Sequence, residues 1–366
     1  MKILIAGPGN LAPYHAARLN ALVNIIPYLT YIRINAKENY RPWSKDLGPI
    51  MCKVMNIENG SNISTLLESE KPDVLMTVGY KSMTLLRAAL WAKRRSIPCV
   101  VQSDSNHEDN PRSPWKELTK RIIVKKCFDA AFVAGERSYE YIKSLGIKED
   151  KIWRGVDVIE NLHFSTAKNK WNSDKFNNYF ITVSRLSPEK NIEMLIQAFK
   201  SYRNEGGKWG LLIVGTGPQE RELISAVPET ISNYVHWYGW ASYKEIPSLY
   251  NSASCLILPS VSEPWGLVIN EAMAAGLPVL VSRKCGCCPD LCKNGVNGFD
   301  FDPHSAEELA NLMRKVSSGQ VDLKAMGAAS RNIISYLTPE TWAKTVTEIA
   351  EKLVKKNNED YISGRI

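Results

Sequence analysis

The chain alternates short apolar runs with longer stretches in which apolar residues recur at helical spacing. In the first half, the short runs predict strands at 2–6, 28–34, 73–78, 98–101 and 130–133. The longer stretches at 14–22 and 83–94 predict helices between these strands. Strands separated by helices favour a parallel sheet with helices on both faces.

A second series of strands and helices follows a polar, irregular stretch at 161–178, which we interpret as the interdomain linker. Its strands are predicted at 179–183, 211–214, 234–237, 255–258 and 278–281. A last helix is predicted from 339 to 356. The length of 366 residues also favours two domains. Two such sheets leave a cleft, in which ligands bind at the carboxyl ends of the strands.

Composition places the chain among soluble globular proteins, with 44% hydrophobic residues. No apolar run approaches the roughly 20 residues that a membrane span needs. The run at 2–6 stops at Gly7-Pro8-Gly9 and is too short for a signal peptide. These features predict a cytoplasmic protein that begins with a buried strand.

Positive charge is concentrated in the first half of the chain. Between Lys81 and Lys126, eleven Lys and Arg face four Asp and Glu, a net charge of +7. The run at 115–126 predicts a basic amphipathic helix with Leu118, Ile122 and Ile123 on one face. This helix suits peripheral contact with the anionic inner face of the plasma membrane. An ordinary helix with a core-facing stripe is the alternative, and no nucleic-acid-binding signature is present.

Four of the eight cysteines lie between Cys285 and Cys292. Zinc sites usually use two separated pairs of ligands, whereas these four cysteines lie within one short loop. We therefore interpret them as packed loop residues and expect no metal there. Without a secretory signal, the eight cysteines are also not expected to form a disulfide framework.

Two carboxylates flank a predicted helix start in the second half of the chain. Glu263 lies on a loop, and Glu271 lies near the first turn of a helix that Gly276 and Pro278 terminate. The free N–H groups of the helix start can hold a phosphate. This arrangement suits a diphosphate with hydroxyls on both sides, as in a nucleotide sugar. Alternatively, Glu271 only stabilises the helix and Glu263 is an exposed loop acid.

Two cations follow the strand that ends at Val183. Arg185 and Lys190 are placed to bind one diphosphate, Arg as a fork and Lys as a point charge. Alternatively, this is a surface loop in which Glu189 pairs with a neighbouring base. In the first domain, 7–12 fits the dinucleotide fingerprint GxGxxA. An NAD site also needs an acid after the second strand, where Asn35 and Ala36 stand, so NAD is disfavoured.

The stretch 259–279 resembles the donor-site signature of the GT-B retaining glycosyltransferases of family 4 (group 1), and 185–191 resembles their phosphate-binding loop. The segments 100–117 and 155–161 look like a subgroup acting in bacterial exopolysaccharide assembly. That subgroup includes the cyanobacterial heterocyst envelope polysaccharide glycosyltransferase. The implied fold is α/β, with two facing Rossmann-like parallel-sheet domains and a central cleft.

The resemblance gives each part of the chain a role. Residues 1–164 would form the acceptor-side domain, 165–338 the nucleotide-sugar donor domain, and 339–366 a helix packed back on the first domain. The implied reaction transfers a hexose from a UDP-linked sugar, with UDP-glucose the family-weighted choice, to a glycan or lipid-linked oligosaccharide. A sugar-nucleotide epimerase and a non-catalytic nucleotide-sugar-binding partner remain alternatives. No cofactor is expected. The Asp300-Phe301-Asp302 string matches a metal motif of a different glycosyltransferase fold, so no metal is expected there.

Site roles follow residue by residue from the resemblance. Glu271 would bind the ribose, Arg185 and Lys190 the diphosphate, and Glu263 the sugar. At the end of the strand at 98–101, many family members have a catalytic His, and here Asp104 or His107 is the candidate. The complete set of implied donor-binding residues is Gly9, Asn10, Gly215, Tyr238, Trp240, Trp265, Gly266, Leu267, Val268 and Glu271.

Overall fold

Two parallel sheets contain the named strands of the computed structural model, which describes residues 1–34, 48–57, 63–109, 112–166, 171 and 177–362. The strands are β1 (Ile3–Pro8), β2 (Leu29–Ile34), β3 (Lys53–Ile57), β4 (Val74–Val78), β5 (Cys99–Ser103), β6 (Ala130–Val133), β7 (Ile152–Arg154), β8 (Tyr179–Val183), β9 (Gly210–Val214), β10 (Val235–Gly239), β11 (Cys255–Leu258), β12 (Val279–Ser282) and β13 (Gly298–Phe301).

Helices alternate with these strands. They are α1 (Pro13–Val23), α2 (Ile63–Glu70), α3 (Met83–Arg94), α4 (Pro114–Cys127), α5 (Glu136–Ser144), α6 (Asn161–Ser165), α7 (Ile192–Asn204), α8 (Glu220–Ala226), α9 (Glu229–Ser232), α10 (Ile246–Ser252), α11 (Leu267–Ala275), α12 (Cys288–Leu291), α13 (Ala306–Ser317), α14 (Leu323–Ile334) and α15 (Pro339–Ile362). No helix in the described part of the chain is long and apolar enough to cross a membrane.

The chain divides into two units, each built on one sheet. The first contains Met1–His107, Pro111–Ile159 and Leu337–Ile366, and the second contains Glu108–Asn110 and Glu160–Tyr336. The first sheet has the order β3-β2-β1-β4-β5-β6-β7 and the second has the order β10-β9-β8-β11-β12-β13. The predicted α/β class with two parallel-sheet domains is confirmed.

In the first unit, β1 forms part of the buried centre because Ile3, Leu4 and Ile5 are at most 2% exposed. Both neighbours of β1, β2 and β4, run parallel to it. The C-terminal helix α15 belongs to this unit and contacts α1.

In the second unit, the order in which strands are added to the sheet reverses at β8. The strands β9 and β10 lie on one side of β8, and β11, β12 and β13 lie on the other. Phe180 and Ile257, from β8 and β11, belong to a core that the surrounding helices cover. Because all pairs in this sheet are parallel, the loops after β8 and β11 leave from the same edge.

The stretch predicted as an irregular linker begins with a helix. α6 occupies Asn161–Ser165 and is part of the second unit. Phe164 is buried and packs edge-on against Tyr250, with the ring centroids 6.2 Å apart. The prediction of an irregular chain is therefore wrong for these residues, because tertiary packing stabilises a short helix in a polar sequence. Positions 167–170 and 172–176 of the same stretch lie outside the described residues.

Candidate functional site

The most informative position in the second unit is the edge of the sheet between β8 and β11. Strand order reverses between these two strands, and open parallel sheets bind ligands in the crevice at such a switch point. The loop after β8 carries Arg185 and Lys190, and the loop after β11 carries Glu263. The three charged residues predicted from separate motifs therefore lie on two loops at one edge.

Lys190 and Glu263 form an ion pair at this edge, with Nζ donating to Oε2. The side chains are only 18% and 15% exposed. A pair screened from solvent in this way interacts more strongly than a pair at the surface. Arg185 is exposed on the same loop. Among the predicted donor residues, the edge therefore holds two cations and one carboxylate. A second carboxylate, Glu189 on the β8 loop, accepts from Ser187 Oγ at 2.6 Å.

The conformation of the Lys190 loop depends on Asn191, a residue that the sequence motifs do not single out. Asn191 has φ 58° and ψ 37°, a left-handed conformation that Asn adopts more readily than most residues. Its amide Nδ2 donates to the carbonyl of Pro259 at 3.1 Å and to that of Pro303 at 2.8 Å. Asn191 thus ties the β8 loop to the β11 loop. The available sequence signal is the residue type itself, because Asn tolerates the left-handed conformation better than most residues.

Two glycines after β9 allow its loop to approach the β8 loop. A Cβ on Gly215 would lie 1.8 Å from the carbonyl oxygen of Ser184, and its φ of +132° is unfavourable for other residues. A Cβ on Gly217 would lie 2.3 Å from the carbonyl oxygen of Leu186. The backbone N–H of Leu186 donates to the backbone carbonyl of Thr216 at 3.0 Å. Gly215 therefore shapes the site through close backbone packing.

Three buried hydroxyls lie at the ends of β8 and β11. The side-chain oxygens of Thr182, Ser184 and Ser260 have no hydrogen-bond partner among the residues that the structure describes. Burying a hydroxyl without a partner costs about 1–3 kcal/mol. Three such costs at one switch point favour a polar ligand or ordered water there.

The loop that carries Glu263 leads directly into α11. Gly266 caps the helix with φ +109°, and a Cβ there would lie 3.0 Å from Leu258 and 3.4 Å from both Cys287 and Glu263. Leu267 and Val268 follow in the first turn, where backbone N–H groups have no partner within the helix. The N-terminus of α11 thus begins beside Glu263 and favours an anion.

The cysteine-rich loop supports Glu263 from the other side. The N–H of Gly286 donates to the carbonyl of Glu263 at 2.9 Å, and the N–H of Cys287 donates to that of Trp265 at 3.1 Å. All of the cysteines of this loop are buried. The indole of Trp265 is 3% exposed and donates to Asn270 Oδ1 at 3.0 Å. The structure thus places the predicted donor residue Trp265 with its ring in the interior.

Glu271 is the fifth residue of α11 and lies directly after the first turn, close to where the sequence placed it. Its Oε2 accepts a hydrogen bond from the Tyr250 hydroxyl at 2.8 Å. Burial raises the pKa of Glu271 to about 7, and the Tyr250 hydrogen bond opposes this effect only in part. Nothing in the sequence indicated Tyr250 because it lies 21 residues away on another helix.

Glu271 makes stability depend on pH. Its ordinary pKa of 4.5 is raised in the folded state, so between about pH 4.5 and 7 the folded protein keeps a proton that the unfolded chain releases. We expect the free energy of unfolding to fall by about 2–3 kcal/mol as the pH rises through this window. Denaturant unfolding at a series of pH values measures this change.

The matched variant is Glu271→Gln, which keeps the shape of the side chain and can still accept from Tyr250. It is expected to lose this part of the pH dependence and to be more stable than the natural protein above pH 7. Equal pH profiles for both proteins would show that Glu271 is ionised in the folded state near its ordinary pKa.

Two further predicted donor residues lie at or just after the edge strand β10. Tyr238 is half-buried, and burial raises the pKa of its hydroxyl. Its ring lies 6.2 Å from that of Trp171. Trp240 is 42% exposed after the strand. Trp237 packs against the hydrophobic core.

The first unit holds the remaining candidates. Gly9 is buried after β1, and its carbonyl accepts from Arg33 Nε at 2.8 Å, while Asn10 is half-buried. Strand order reverses between β1 and β4, so these residues also lie at a switch point. Positions 35 and 36, which bear on an NAD site, lie outside the described residues.

Asp104 and His107 follow β5, which β4 separates from β1. Asp104 is exposed, and its carbonyl accepts from Ser138 Oγ at 2.9 Å. His107 lies edge-on to Tyr141 with ring centroids 4.9 Å apart. The structure therefore places both residues on the β5 loop and two strands away from Gly9.

The two aspartates of the Asp300–Asp302 string have other partners. Asp300 pairs with Arg283 at 3.0 Å and accepts from the amide Nδ2 of Asn294 at 2.6 Å. Asp302 accepts from the N–H of His304 at 2.9 Å.

Comparison with known families is consistent with this geometry. The sequence model described as "Glycosyl transferases group 1" matches residues 164–333, which lie inside the second unit. Residues 164–333 are a group 1 glycosyltransferase domain. This domain contains Arg185, Lys190, Glu263 and Glu271, the four charged residues predicted to bind the donor.

Relatives of this glycosyltransferase domain include polysaccharide enzymes. The chain is 27% identical to the amylovoran biosynthesis glycosyltransferase AmsK of Erwinia amylovora over 47% of this chain and 44% of that protein. It is 28% identical to UDP-Gal:alpha-D-GlcNAc-diphosphoundecaprenol alpha-1,3-galactosyltransferase of Escherichia coli over 78% of each. The chain spans about half the length of the first curated relatives it matches, at 44% and 53%.

Solved structures share the fold of nearly the whole chain, including the glycosyltransferase domain. HepE of Anabaena in complex with UDP aligns with a TM-score of 0.78 and 17% identity, over 96% of this chain and 100% of that one. The predicted GT-B fold class is therefore confirmed.

Proposed function

We propose that this protein is a retaining glycosyltransferase that transfers a hexose from a UDP-sugar to a hydroxyl acceptor in polysaccharide biosynthesis. The observation that carries the proposal is the Lys190–Glu263 pair beside the start of α11. It lies at the β8–β11 switch point of a group 1 glycosyltransferase domain.

The donor's diphosphate is assigned to the cationic side of this edge. Arg185 and Lys190 bind its oxygens, and the N–H groups of Gly266, Leu267 and Val268 complete the anion site. The unpartnered hydroxyls of Ser184 and Ser260 are available to the same oxygens. As the UDP leaves, these groups stabilise its growing negative charge without help from a metal ion.

The two carboxylates are assigned to the two ends of the donor. Glu271, oriented by Tyr250, accepts hydrogen bonds from the ribose hydroxyls. Glu263 accepts from hydroxyls of the sugar and stabilises the positive charge that develops on the ring in the transition state. Tyr238 and Trp240 are assigned to the base. Gly9 and Asn10 are assigned to the donor, and Asp104 and His107 to the acceptor side.

The acceptor is proposed to be a glycan or a lipid-linked oligosaccharide. The relative from Escherichia coli is named for a diphosphoundecaprenol acceptor, and the chain spans 78% of that protein. Its donor name supports UDP, as does the UDP named in the HepE structure. A cytoplasmic protein in peripheral contact with the membrane would meet such an acceptor.

A thermal-shift screen against UDP, GDP, ADP and their sugars tests the donor site directly. A ligand at a hundredfold excess over its Kd stabilises the folded state by about 2.7 kcal/mol. For the second unit we expect UDP to raise the Tm by about 5–10 °C, with and without EDTA. NAD serves as the control nucleotide.

Product analysis then separates transfer from its alternatives. A UDP-sugar that changes its own configuration without an acceptor would indicate an epimerase. Binding without transfer or hydrolysis would indicate a non-catalytic partner. A Tm that responds to NAD alone, or to none of these ligands, would contradict the proposal.

A further inference from the structure

The helix α4 exposes three large apolar side chains on its outer face. Trp115, Leu118 and Ile122 are 80%, 50% and 59% exposed. They are three, four and seven positions apart, which places them in one row along a helix. Exposed residues of this size are normal when scattered singly, but a continuous row indicates an interaction surface.

The opposite face of α4 holds the helix in the first unit. Val124 and Cys127 are buried in the core, and Ile123 packs partly against it. The sequence pattern predicts Leu118, Ile122 and Ile123 on one face of this helix. The structure separates them, because Ile123 turns inward while Leu118 and Ile122 join Trp115 outside.

The charged residues of α4 also differ between its inner and outer faces. Its single acid, Glu117, faces the protein and accepts from Arg112 at 3.2 Å, Lys120 at 2.7 Å and Tyr141 at 2.9 Å. The charged residues at exposed positions of the helix are all cations. These four residues are Lys116, Arg121, Lys125 and Lys126.

We propose that α4 docks on an anionic lipid surface. The helical spacing puts Arg121 and Lys125 on one side of the apolar row, and Lys116 and Lys126 on the other. Cations beside such a row can pair with lipid phosphates while the row enters the headgroup region. A protein partner fits less well because lysine is depleted in protein interfaces. A nucleic acid would leave Leu118 and Ile122 without a favourable contact.

This proposal rests on the proposed function, which includes contact with the membrane. It names α4 as the helix that makes this contact. It would bring the first unit to a bilayer that carries lipid-linked acceptors. Docking itself needs neither donor nor acceptor, so it can be measured separately from transfer.

Sedimentation with vesicles tests the surface. The full chain is mixed with vesicles of phosphatidylcholine alone, or with about one third phosphatidylglycerol, at low and at physiological salt. We expect binding to the anionic vesicles and weaker binding as salt rises, because salt screens the attraction. Equal binding to both kinds of vesicle, or none to either at low salt, would overturn the proposal.

Three variants show whether α4 is the contact. The charge variant changes the four outer cations to Gln and is expected to weaken binding on the order of a hundredfold. The apolar variant, Trp115→Ser with Leu118→Ser and Ile122→Ser, is expected to weaken it at least about tenfold. The matched control removes the same charge from exposed cations of the second unit. Its changes to Gln are at Lys200, Lys208, Arg221 and Lys244.

The control variant is expected to bind vesicles within about threefold of the natural protein. Equal weakening in the control and charge variants would attribute the effect to net charge and overturn the proposal. Because the altered side chains are exposed, each variant should keep its Tm. Each variant should also keep the rise in Tm that UDP causes. If UDP does not raise the Tm of the natural protein, the proposed function is contradicted, but the vesicle result is unaffected.

Discussion

Replacing Glu263 by Gln is expected to lower the rate of hexosyl transfer by about 10²–10³-fold while UDP binding is largely kept. The carboxylate lies beside the α11 start and opposite Lys190, where it can stabilise positive charge on the sugar ring. Gln keeps the shape but removes the charge, so the loss should fall on kcat. Single-turnover rates and UDP titrations of the same protein measure the two effects.

The control for this variant is Glu193→Gln. Glu193 is an exposed acid in the first turn of α7, three positions after Lys190, and it is outside the proposed site. It is expected to keep its rate within about twofold, as is usual for surface substitutions. If Glu263→Gln retained full activity, the role given to Glu263 would be wrong. If it lost UDP binding and Tm together, the ion pair would be structural.

Replacing Gly215 by Ala is expected to lower the free energy of unfolding by more than about 3 kcal/mol. The new Cβ would meet the Ser184 carbonyl oxygen at 1.8 Å, and φ is +132°. The hydrogen bond from the Ser184 N–H to the Val214 carbonyl, at 3.0 Å, holds the β8 loop against β9 and opposes the shift that would relieve this clash. Chemical denaturation, with soluble expression as a first readout, measures the effect.

Gly206→Ala is the matched control because it measures the cost of a positive φ alone, without a steric clash. Gly206 also has a positive φ, of +88°, but a Cβ there would meet nothing within 4 Å. We expect it to cost only about 1 kcal/mol. Equal losses for the two variants would mean that conformational strain accounts for the Gly215 effect, and that the close approach to Ser184 contributes nothing.

Much of the fold could be predicted because local patterns determine it. The strands β8 and β11 lie in a parallel sheet buried on both faces, so they appear as continuous apolar runs. Local sequence placed the start of α11 between Glu263 and Glu271 and its end at Gly276, which has the left-handed conformation. The helix α6 could not, because Phe164 stabilises it through contacts with α10 that local sequence does not encode.

The residues of the candidate site could be predicted from the sequence, but most of their contacts could not. Arg185, Lys190, Glu263 and Glu271 stand in strings long enough to recognise. Their partners come from elsewhere in the chain. Lys190 meets Glu263 from 73 positions away, and Tyr250 reaches Glu271 from another helix.

The sequence by itself determined two parallel-sheet domains, the family of the second, and the residue types at its switch point, because periodicity and motif spacing are local properties. Only the tertiary structure decided which groups pair, which hydroxyls are left without partners, and that Glu271 is buried enough to hold a proton near pH 7. It also decided that Leu118 and Ile122 face outward. A helical pattern defines a stripe, but burial of that stripe depends on neighbours that are distant along the chain.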